Sequence, residues 1–172
     1  MNHILEDKLK RISTFVFDID GVFTDATLTV SKDDVTRTFN VRDGYAVQMA
    51  LKSGYQVAVI SGGKQESIVT RMNSIGVQDV FIKVGTADKP KFLEEYLKDK
   101  NVSAEEVLFI GDDIPDLLLM QAFPVLCCCP SDAVDEVKVA ADYIANTPGG
   151  KGAVREVIEL VMKAQDKWMK VF

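Results

Sequence analysis

Short apolar runs alternate with longer amphipathic stretches along most of the chain. Continuous apolar strands that alternate with helices are typical of a parallel sheet covered on both faces. The pattern therefore predicts an α/β fold with a mostly parallel sheet between two layers of helices. The predicted strands are 14–18, 56–60, 79–82, 106–110, 125–129 and a short one at 142–144, and the predicted helices lie near 43–53, 64–74, 88–99, 114–122, 132–140 and 151–168.

One segment, residues 26–41 (ATLTVSKDDVTRTFNV), interrupts this alternation. Two β-rich runs flank Lys32-Asp33-Asp34, which predicts a β-hairpin inserted after the first strand. The chain contains no linker long enough to divide it, so we expect residues 1–172 to form a single domain. The interval between the first two sheet strands, about 40 residues, leaves no room for a separate cap domain.

Charge and composition narrow the classes of function. The net charge of −6 argues against a nucleic-acid-binding protein but leaves room for a small anionic substrate. No apolar run approaches the roughly 20 residues that span a membrane, and the polar N-terminus lacks a signal-peptide core. We therefore expect a cytoplasmic protein, with His3 in a mobile tail. Cys127, Cys128 and Cys129 lie on a predicted strand and are expected to be core residues, because neighbouring strand residues face opposite ways.

Polar residues follow several of the predicted strands at the point where each strand ends. In open α/β sheets, ligands bind outside the carboxyl ends of the strands. We therefore expect these side chains to meet at one edge of the sheet. They are Asp18 and Asp20 after the first strand, Ser61-Gly62-Gly63 after the second, Lys89 after the third, and Gly111-Asp112-Asp113 after the fourth.

This set of side chains fits metal-assisted chemistry on a phosphate ester. Mg²⁺ prefers oxygen ligands, which Asp18, Asp112 and the carbonyl of Asp20 would supply. A carboxylate such as Asp18 can attack phosphorus as a nucleophile. Asp20 could then protonate the leaving oxygen and later activate water. Ser61 and Lys89 would hold the remaining phosphate oxygens and stabilise the charge of the transition state.

Each of these elements has an ordinary structural explanation when taken alone. An Asp-x-Asp pair can cap a helix, Ser-Gly-Gly can form a turn, and Lys89 can be a solvated helix residue. The GDDIPD segment at 111–116 can begin a helix, with aspartates at the cap and in the first turn. The chemical interpretation depends on the order of the elements and on their shared position at one edge of the sheet.

The motifs DIDGVFTD, SGG, Lys89 and GDDIPD together resemble the haloacid dehalogenase superfamily of phosphohydrolases. FNVRDGYAV at 39–47 and GGKGAVREVIELVMKAQ at 149–165 resemble, within it, the 3-deoxy-D-manno-octulosonate 8-phosphate (KDO 8-phosphate) phosphatases. This resemblance implies a Rossmann-like three-layer fold and Mg²⁺-dependent hydrolysis of a phosphorylated eight-carbon sugar acid for lipopolysaccharide synthesis. It assigns Asp18 as nucleophile, Asp20 as acid/base, and Asp18, Asp20 and Asp112 as metal ligands. It also implies phosphate binding by Ser61, Gly62 and Lys89, substrate binding by Asn40, Val41, Arg42, Asp43, Gly44 and Arg71, and supporting roles for Asp113 and Asp116.

Two positions depart from the family pattern. Gly63 and Gln48 stand where the family usually or often has arginine, which removes positive charge that could meet the carboxylate of the sugar. Lys64 is a conceivable substitute. A phosphatase for a nine-carbon acid phosphate, such as KDN or N-acylneuraminate 9-phosphate, therefore stays an alternative. A non-catalytic oligomerisation module is an alternative of another class, although a scaffold has no need for the complete set of motifs.

Oligomerisation is the last expectation. A site without a cap domain would be an open cleft, and an isolated hairpin is marginally stable and exposes unpaired edges. Both problems are solved if hairpins of several subunits pack together and a neighbour covers each cleft. The resemblance implies a homotetramer of this kind. The C-terminal tail, about 166–172, could reach a neighbouring site.

Overall fold

A computed structural model of the chain describes residues 3–171. The sheet strands are β1 (Thr14–Phe17), β4 (Gln56–Ile60), β5 (Asp79–Phe81), β6 (Val107–Ile110), β7 (Leu126–Cys129) and β8 (Tyr143–Ile144), and the hairpin strands are β2 (Thr29–Val30) and β3 (Val35–Thr36). The six sheet strands are parallel and lie in the order β5-β4-β1-β6-β7-β8, with β1 near the centre. After β1, the chain forms one side of the sheet with β4 and β5 and then crosses to the other side with β6, β7 and β8.

Helices cover both faces of the sheet, as the sequence pattern predicts. Successive strand residues face opposite layers, so Phe15 and Phe17 pack into one core cluster while Val16 packs into the other. Cys128 packs into the same cluster as Phe15, whereas Cys127 and Cys129 pack into the cluster of Val16. This confirms the prediction that the three cysteines are buried core residues. The helices are α1 (His3–Arg11), α2 (Val41–Lys52), α3 (Glu66–Ser74), α4 (Lys89–Lys100), α5 (Ile114–Ala122), α6 (Asp135–Ala140) and α7 (Ala153–Ala164).

The inserted hairpin is present but its paired part is short. Thr29 pairs with Thr36 and Val30 with Val35 in antiparallel register. The turn is closed by the Ser31 N–H, which donates to the Asp34 carbonyl at 2.8 Å. Residues 37–40 after β3 form no regular secondary structure, and Val41 already begins helix α2. Arg37, directly after β3, lies at a cleft at the carboxyl edge of the sheet.

The expectation of a mobile N-terminal tail is wrong, because His3 begins helix α1. Leu9 is fully buried, and the Gln165 side-chain amide donates to the carbonyls of Leu9 and Ile12 at 2.9 and 2.7 Å. Leu5, Leu9 and Ile12 have the spacing of one helical face, which is the signal that the polar composition of the segment obscures.

The C-terminal helix ends earlier than predicted, at Ala164 rather than near 168. Trp168 turns back onto the core of its own chain, and the guanidinium carbon of Arg155 lies 5.5 Å from the centre of the Trp168 ring. Phe172, the end of the predicted apolar tail, lies outside the described residues. None of the helices within residues 3–171 combines the length and hydropathy that crossing a membrane demands.

Candidate active site

A cleft of about 530 Å³ lies at the carboxyl edge of the sheet, where β1, β4 and β6 end. This is the place where the strand order reverses direction, and open α/β sheets form their ligand crevices there. The structure brings together the predicted residues of the strand ends, as the sequence pattern indicates. Those that line the cleft are Asp18, Asp20, Ser61, Gly62, Lys89, Asp112, Asp113 and Asp116, and the hairpin adds Leu28, Val30, Val35 and Arg37.

Lys89 is the buried cation at the bottom of the cleft. It is the first residue of α4 and only 3% exposed, although the positive end of the helix dipole disfavours a cation there. Its Nζ lies 2.7 Å from Asp116 Oδ1 and 3.1 Å from Asp18 Oδ1. Lys89 is therefore not a solvated helix residue, and two carboxylates compensate its burial.

Asp116 also organises the backbone that presents Asp112. Its Oδ2 accepts the N–H groups of Asp112 and Asp113 at 3.0 and 3.4 Å, which caps helix α5. Gly21 adopts φ +82°, and a Cβ at that residue would overlap the Asp112 carboxylate. The cap interpretation of the GDDIPD segment is therefore confirmed, and the same aspartate side chains line the cleft.

Three carboxylates converge in a way that suits a divalent cation. One oxygen each from Asp18, Asp112 and Asp116 lies within 4.8 Å of the others. Asp18 Oδ1 is buried and has no hydrogen-bond donor among the described residues apart from its ion-pair contact with Lys89. Three acids against one ammonium leave an excess of negative charge, which a divalent cation would neutralise. The donor set therefore fits Mg²⁺.

The close approach of these buried carboxylates raises the pKa values of two of them. Burial, together with the neighbouring Asp116 charge, raises the pKa of Asp18 to about 7 although Lys89 opposes the rise. Burial and the charges of Asp18 and Asp116 raise the pKa of Asp112 to about 8. Burial alone would lower the pKa of Lys89, but the charges of Asp18 and Asp116 outweigh it and raise that pKa.

The Ser61 hydroxyl is placed to donate into the cleft. Ser61 follows β4 directly and is 1% exposed. Its Oγ accepts the Gly63 N–H at 3.1 Å, which leaves its own proton available for a ligand oxygen. Gly62 is exposed next to it in the same loop, so two of the three predicted phosphate-binding residues lie together at the cleft.

A residue that sequence reasoning missed, Arg37, controls the position of Asp20. Arg37 Nε and Nη2 donate to the two carboxylate oxygens of Asp20 at 2.6 and 2.8 Å, and Nη1 donates to Gln65 Oε1 at 2.8 Å. This contact raises the pKa of the Arg37 guanidinium, chiefly through its hydrogen bond to Asp20. The available signal was the single basic residue in the second run of the hairpin, VTRTF, whose fold brings it back towards the strand ends.

The predicted substrate loop does not line the cleft within the described chain. Asn40 caps α2 and its amide donates to the Gly150 carbonyl at 3.3 Å, while Val41 is exposed. Asp43 is buried, accepts the Arg155 N–H at 2.8 Å, and has its pKa raised to about 6 by burial. These contacts orient the start of α7, so Asn40 and Asp43 have structural partners outside the cleft.

The three remaining members of the predicted substrate-binding set also lie elsewhere. Arg42 lines a separate surface pocket together with Lys151 and Arg155. A Cβ at Gly44 would lie 2.6 Å from the Arg71 guanidinium, so Gly44 and Arg71 are neighbours between α2 and α3. A substrate contact of this group would therefore have to be made outside the cleft of its own chain.

Comparison with known proteins places these features in a family context. The family model described as "Haloacid dehalogenase-like hydrolase" matches residues 41–125 of the chain. The chain is similar to the 3-deoxy-D-manno-octulosonate 8-phosphate phosphatase KdsC of Haemophilus influenzae, at 33% identity over 95% of this chain and 89% of the relative.

Solved structures give the same result. The chain is similar to the Moraxella catarrhalis KDO 8-phosphate phosphatase in complex with magnesium, phosphate and KDO, with a TM-score of 0.91, 28% identity, and coverage of 98% of this chain and 95% of that one. It is also similar to the cobalt-bound form of the Haemophilus influenzae enzyme, with a TM-score of 0.87, 33% identity and 92% coverage of both chains.

Proposed function

Because the chain belongs to the KDO 8-phosphate phosphatase family of haloacid dehalogenase-like hydrolases, we propose that it releases phosphate from KDO 8-phosphate. It is a phosphoric monoester hydrolase. The single observation that carries the proposal is the buried Asp18 carboxylate, which faces the cleft 3.1 Å from Lys89. The proposed product, KDO, would enter lipopolysaccharide synthesis, as the family resemblance implies.

In the proposed mechanism Asp18 attacks the phosphorus atom and displaces the sugar oxygen, which forms an aspartyl-phosphate. Lys89 and the Ser61 hydroxyl hold phosphate oxygens and stabilise their charge. Asp20 gives its proton to the leaving oxygen and then takes a proton from the water that hydrolyses the intermediate. Asp113 and Asp116 support the site, because they cap α5 and hold Lys89 and the backbone of Asp112 in place.

Asp18, Asp112 and Asp116 are the carboxylates that would hold the Mg²⁺ ion, with the carbonyl of Asp20 as a proposed further ligand. Bound Mg²⁺ would supply charge neutralisation between the attacking carboxylate and the phosphate. Two similar proteins were solved with a divalent ion bound, magnesium in one and cobalt in the other, which supports a divalent metal here. Mg²⁺ is proposed over softer metals because every available donor is a hard oxygen.

We also propose a homotetramer in which a neighbouring subunit completes each cleft. The hairpin exposes Leu28 and Val30, and the adjacent start of α2 exposes Val41 and Tyr45. Exposed large apolar side chains in neighbouring segments of the chain are candidates for an interaction surface. An assembly through this surface would cover the open cleft and could bring the 40–44 loop of one subunit to the site of another. Light scattering at assay concentration tests it, since a fully active species of 19.0 kDa would contradict the shared site.

The decisive test of function is phosphate release from a panel of sugar phosphates, with Mg²⁺ and with chelator. We expect the highest kcat/KM for KDO 8-phosphate and negligible activity in excess EDTA. A clear preference for KDN 9-phosphate or N-acetylneuraminate 9-phosphate would replace the proposed substrate with the nine-carbon alternative. Absence of turnover on every ester, with Mg²⁺ present, would favour the non-catalytic alternative.

A further inference from the structure

The cleft contains a second buried cation that the proposed mechanism leaves without a ligand role. The side chain of Arg37 is 3% exposed, and its guanidinium lies on the hairpin side of the cleft. Its bonds to Asp20 and Gln65 fix it in one orientation before any substrate arrives. A charged group that is buried and held from two sides is a preorganised binding element.

Arg37 retains hydrogen-bonding capacity that points to a ligand. A guanidinium has five N–H donors, and within residues 3–171 three of those of Arg37 are used, two by Asp20 and one by Gln65. One N–H therefore remains on each terminal nitrogen. These two donors remain for a ligand, and arginine is the residue whose donors match the two oxygens of a carboxylate.

Gly63 allows the phosphate-binding loop to pack close to Arg37. A Cβ at residue 63 would overlap Ile68 Cδ1 and would lie 3.2 Å from Arg37 Nη2 and 3.3 Å from Ser61 Oγ. A larger side chain would therefore clash with Ile68 and crowd the guanidinium. Gly63 thus keeps the Ser61 hydroxyl and Arg37 close together at the cleft.

The charges along the cleft indicate which part of a substrate Arg37 would meet. Three cations line the cleft: the buried side chains of Lys89 and Arg37, and the exposed side chain of Lys64. Lys89 is engaged with the carboxylates of the reaction centre, whereas Lys64 is exposed to water, where ion pairs contribute little. Arg37 is therefore the buried and oriented cation that would bind a second anionic group of a substrate.

We propose that Arg37 is the specificity-determining residue of this site and binds the carboxylate of a sugar-acid phosphate while it continues to hold Asp20. The proposal rests on the proposed function, since it concerns the same cleft. It assigns the recognition of the acid group to the inserted hairpin, whose apolar residues Leu28, Val30 and Val35 line the same wall. The hairpin would thus contribute to substrate selection as well as to the surface of the molecule.

A matched pair of substrates separates this role from an effect through Asp20. 6-Phosphogluconate and D-glucitol 6-phosphate differ in one group, a carboxylate in the first and a hydroxymethyl group in the second. Any effect of an Arg37 variant on Asp20 changes the turnover of both esters equally and cancels in the ratio of their kcat/KM values. We expect the wild-type protein to prefer the acid, and Arg37→Gln to reduce that preference about 10- to 100-fold, the range for lost hydrogen bonds to a charged group.

Two further variants complete the comparison. Arg37→Lys keeps the charge but loses the guanidinium, so it should retain part of the preference. Arg11→Gln removes an exposed arginine far from the cleft, paired only at 3.7 Å with Glu105, and should leave the ratio unchanged. An unchanged ratio in Arg37→Gln, or a wild-type protein without preference for the acid, would overturn the proposal.

A binding measurement serves where a variant loses turnover. Titration calorimetry with KDO and, separately, with inorganic phosphate should show that Arg37→Gln weakens KDO binding about 10-fold or more and leaves phosphate binding nearly unchanged. Equal losses for both ligands would mean that Arg37 serves the phosphate or the fold. The substrate-pair ratio does not depend on KDO 8-phosphate turnover, so failure of the proposed function would be recognised separately.

Discussion

Lys89 and Asp116 form a buried ion pair in which Nζ lies 2.7 Å from Oδ1, with both side chains at most 4% exposed. Each partner also serves the site, since Lys89 contacts Asp18 and Asp116 accepts two backbone N–H groups of the α5 cap. The ion pair therefore stabilises the carboxyl edge of the sheet and also holds the residues of the proposed reaction in place. Removal of Lys89 leaves the charges of Asp116 and Asp18 buried without their cation.

Lys89→Gln should reduce kcat at least about 100-fold, because a phosphate oxygen loses its cation. We also expect a loss of about 3 kcal/mol in the free energy of unfolding at pH 8, the low end for a broken buried ion pair. Denaturant titration and phosphate-release kinetics measure the two effects. Lys91→Gln, an exposed lysine on the same helix, is the control and should change neither quantity noticeably.

Asp18→Asn should abolish turnover without unfolding the protein. The amide has nearly the same shape as the carboxylate but is a poor nucleophile and a weaker metal ligand. Since burial raises the pKa of the Asp18 carboxyl to about 7, its replacement removes an unfavourable charge, and the metal-free variant should be at least as stable as wild type at pH 8. A folded variant that keeps a tenth of the wild-type kcat would refute the nucleophile assignment.

The stability of the metal-free protein should fall as the pH rises from 6 to 9. The folded-state pKa values of Asp18 and Asp112, about 7 and about 8, lie above the ordinary value of 3.8. The folded protein therefore binds these protons more tightly than the unfolded chain, and the resulting stability is lost as the pH passes through the raised pKa values. The loss should amount to about 2–4 kcal/mol in EDTA.

In the presence of Mg²⁺, the stability of the folded protein should no longer fall as the pH rises. A cation that binds the ionised carboxylates stabilises the folded state, and it competes with protons at low pH. The increase in melting temperature on addition of Mg²⁺ should therefore be larger at pH 8.5 than at pH 6. Asp112→Asn should lose most of the Mg²⁺ effect at both pH values, and an equal Mg²⁺ effect in that variant would contradict the ligand assignment.

Arg42 lies outside the cleft of its own chain, so its predicted substrate contact should be made in a neighbouring subunit. Arg42→Ala should raise KM for a sugar-acid phosphate more than KM for a small generic ester. At a concentration of sugar-acid phosphate well below the raised KM, co-expression of Asp18→Asn with Arg42→Ala chains should give more activity than either variant alone, because about a quarter of the sites are wild type by random pairing. Mixed assemblies without such a gain would show that Arg42 does not act between subunits.

The periodicity of the sequence was sufficient to predict the layers of the fold. The buried strand segments 57–60 and 107–110 are continuous apolar runs, because both faces of a parallel sheet are covered. Helix ends were predicted within a few residues, as for α5, whose start is determined locally by Asp113 and Pro115. Strand connectivity then placed Asp18, Ser61 and Asp112 at one edge, since all parallel strands end there.

Tertiary structure alone decided which charges meet. The sequence by itself determined that Asp18, Lys89 and Asp112 approach one edge, but not that Lys89 is buried between Asp18 and Asp116. It likewise did not determine that Arg37, rather than Arg42, lines the cleft. The physical reason is that periodicity reports which face of an element is buried, whereas an ion pair depends on the path of a loop and on side-chain rotamers. Those are settled only when the elements pack and each buried charge must find its partner.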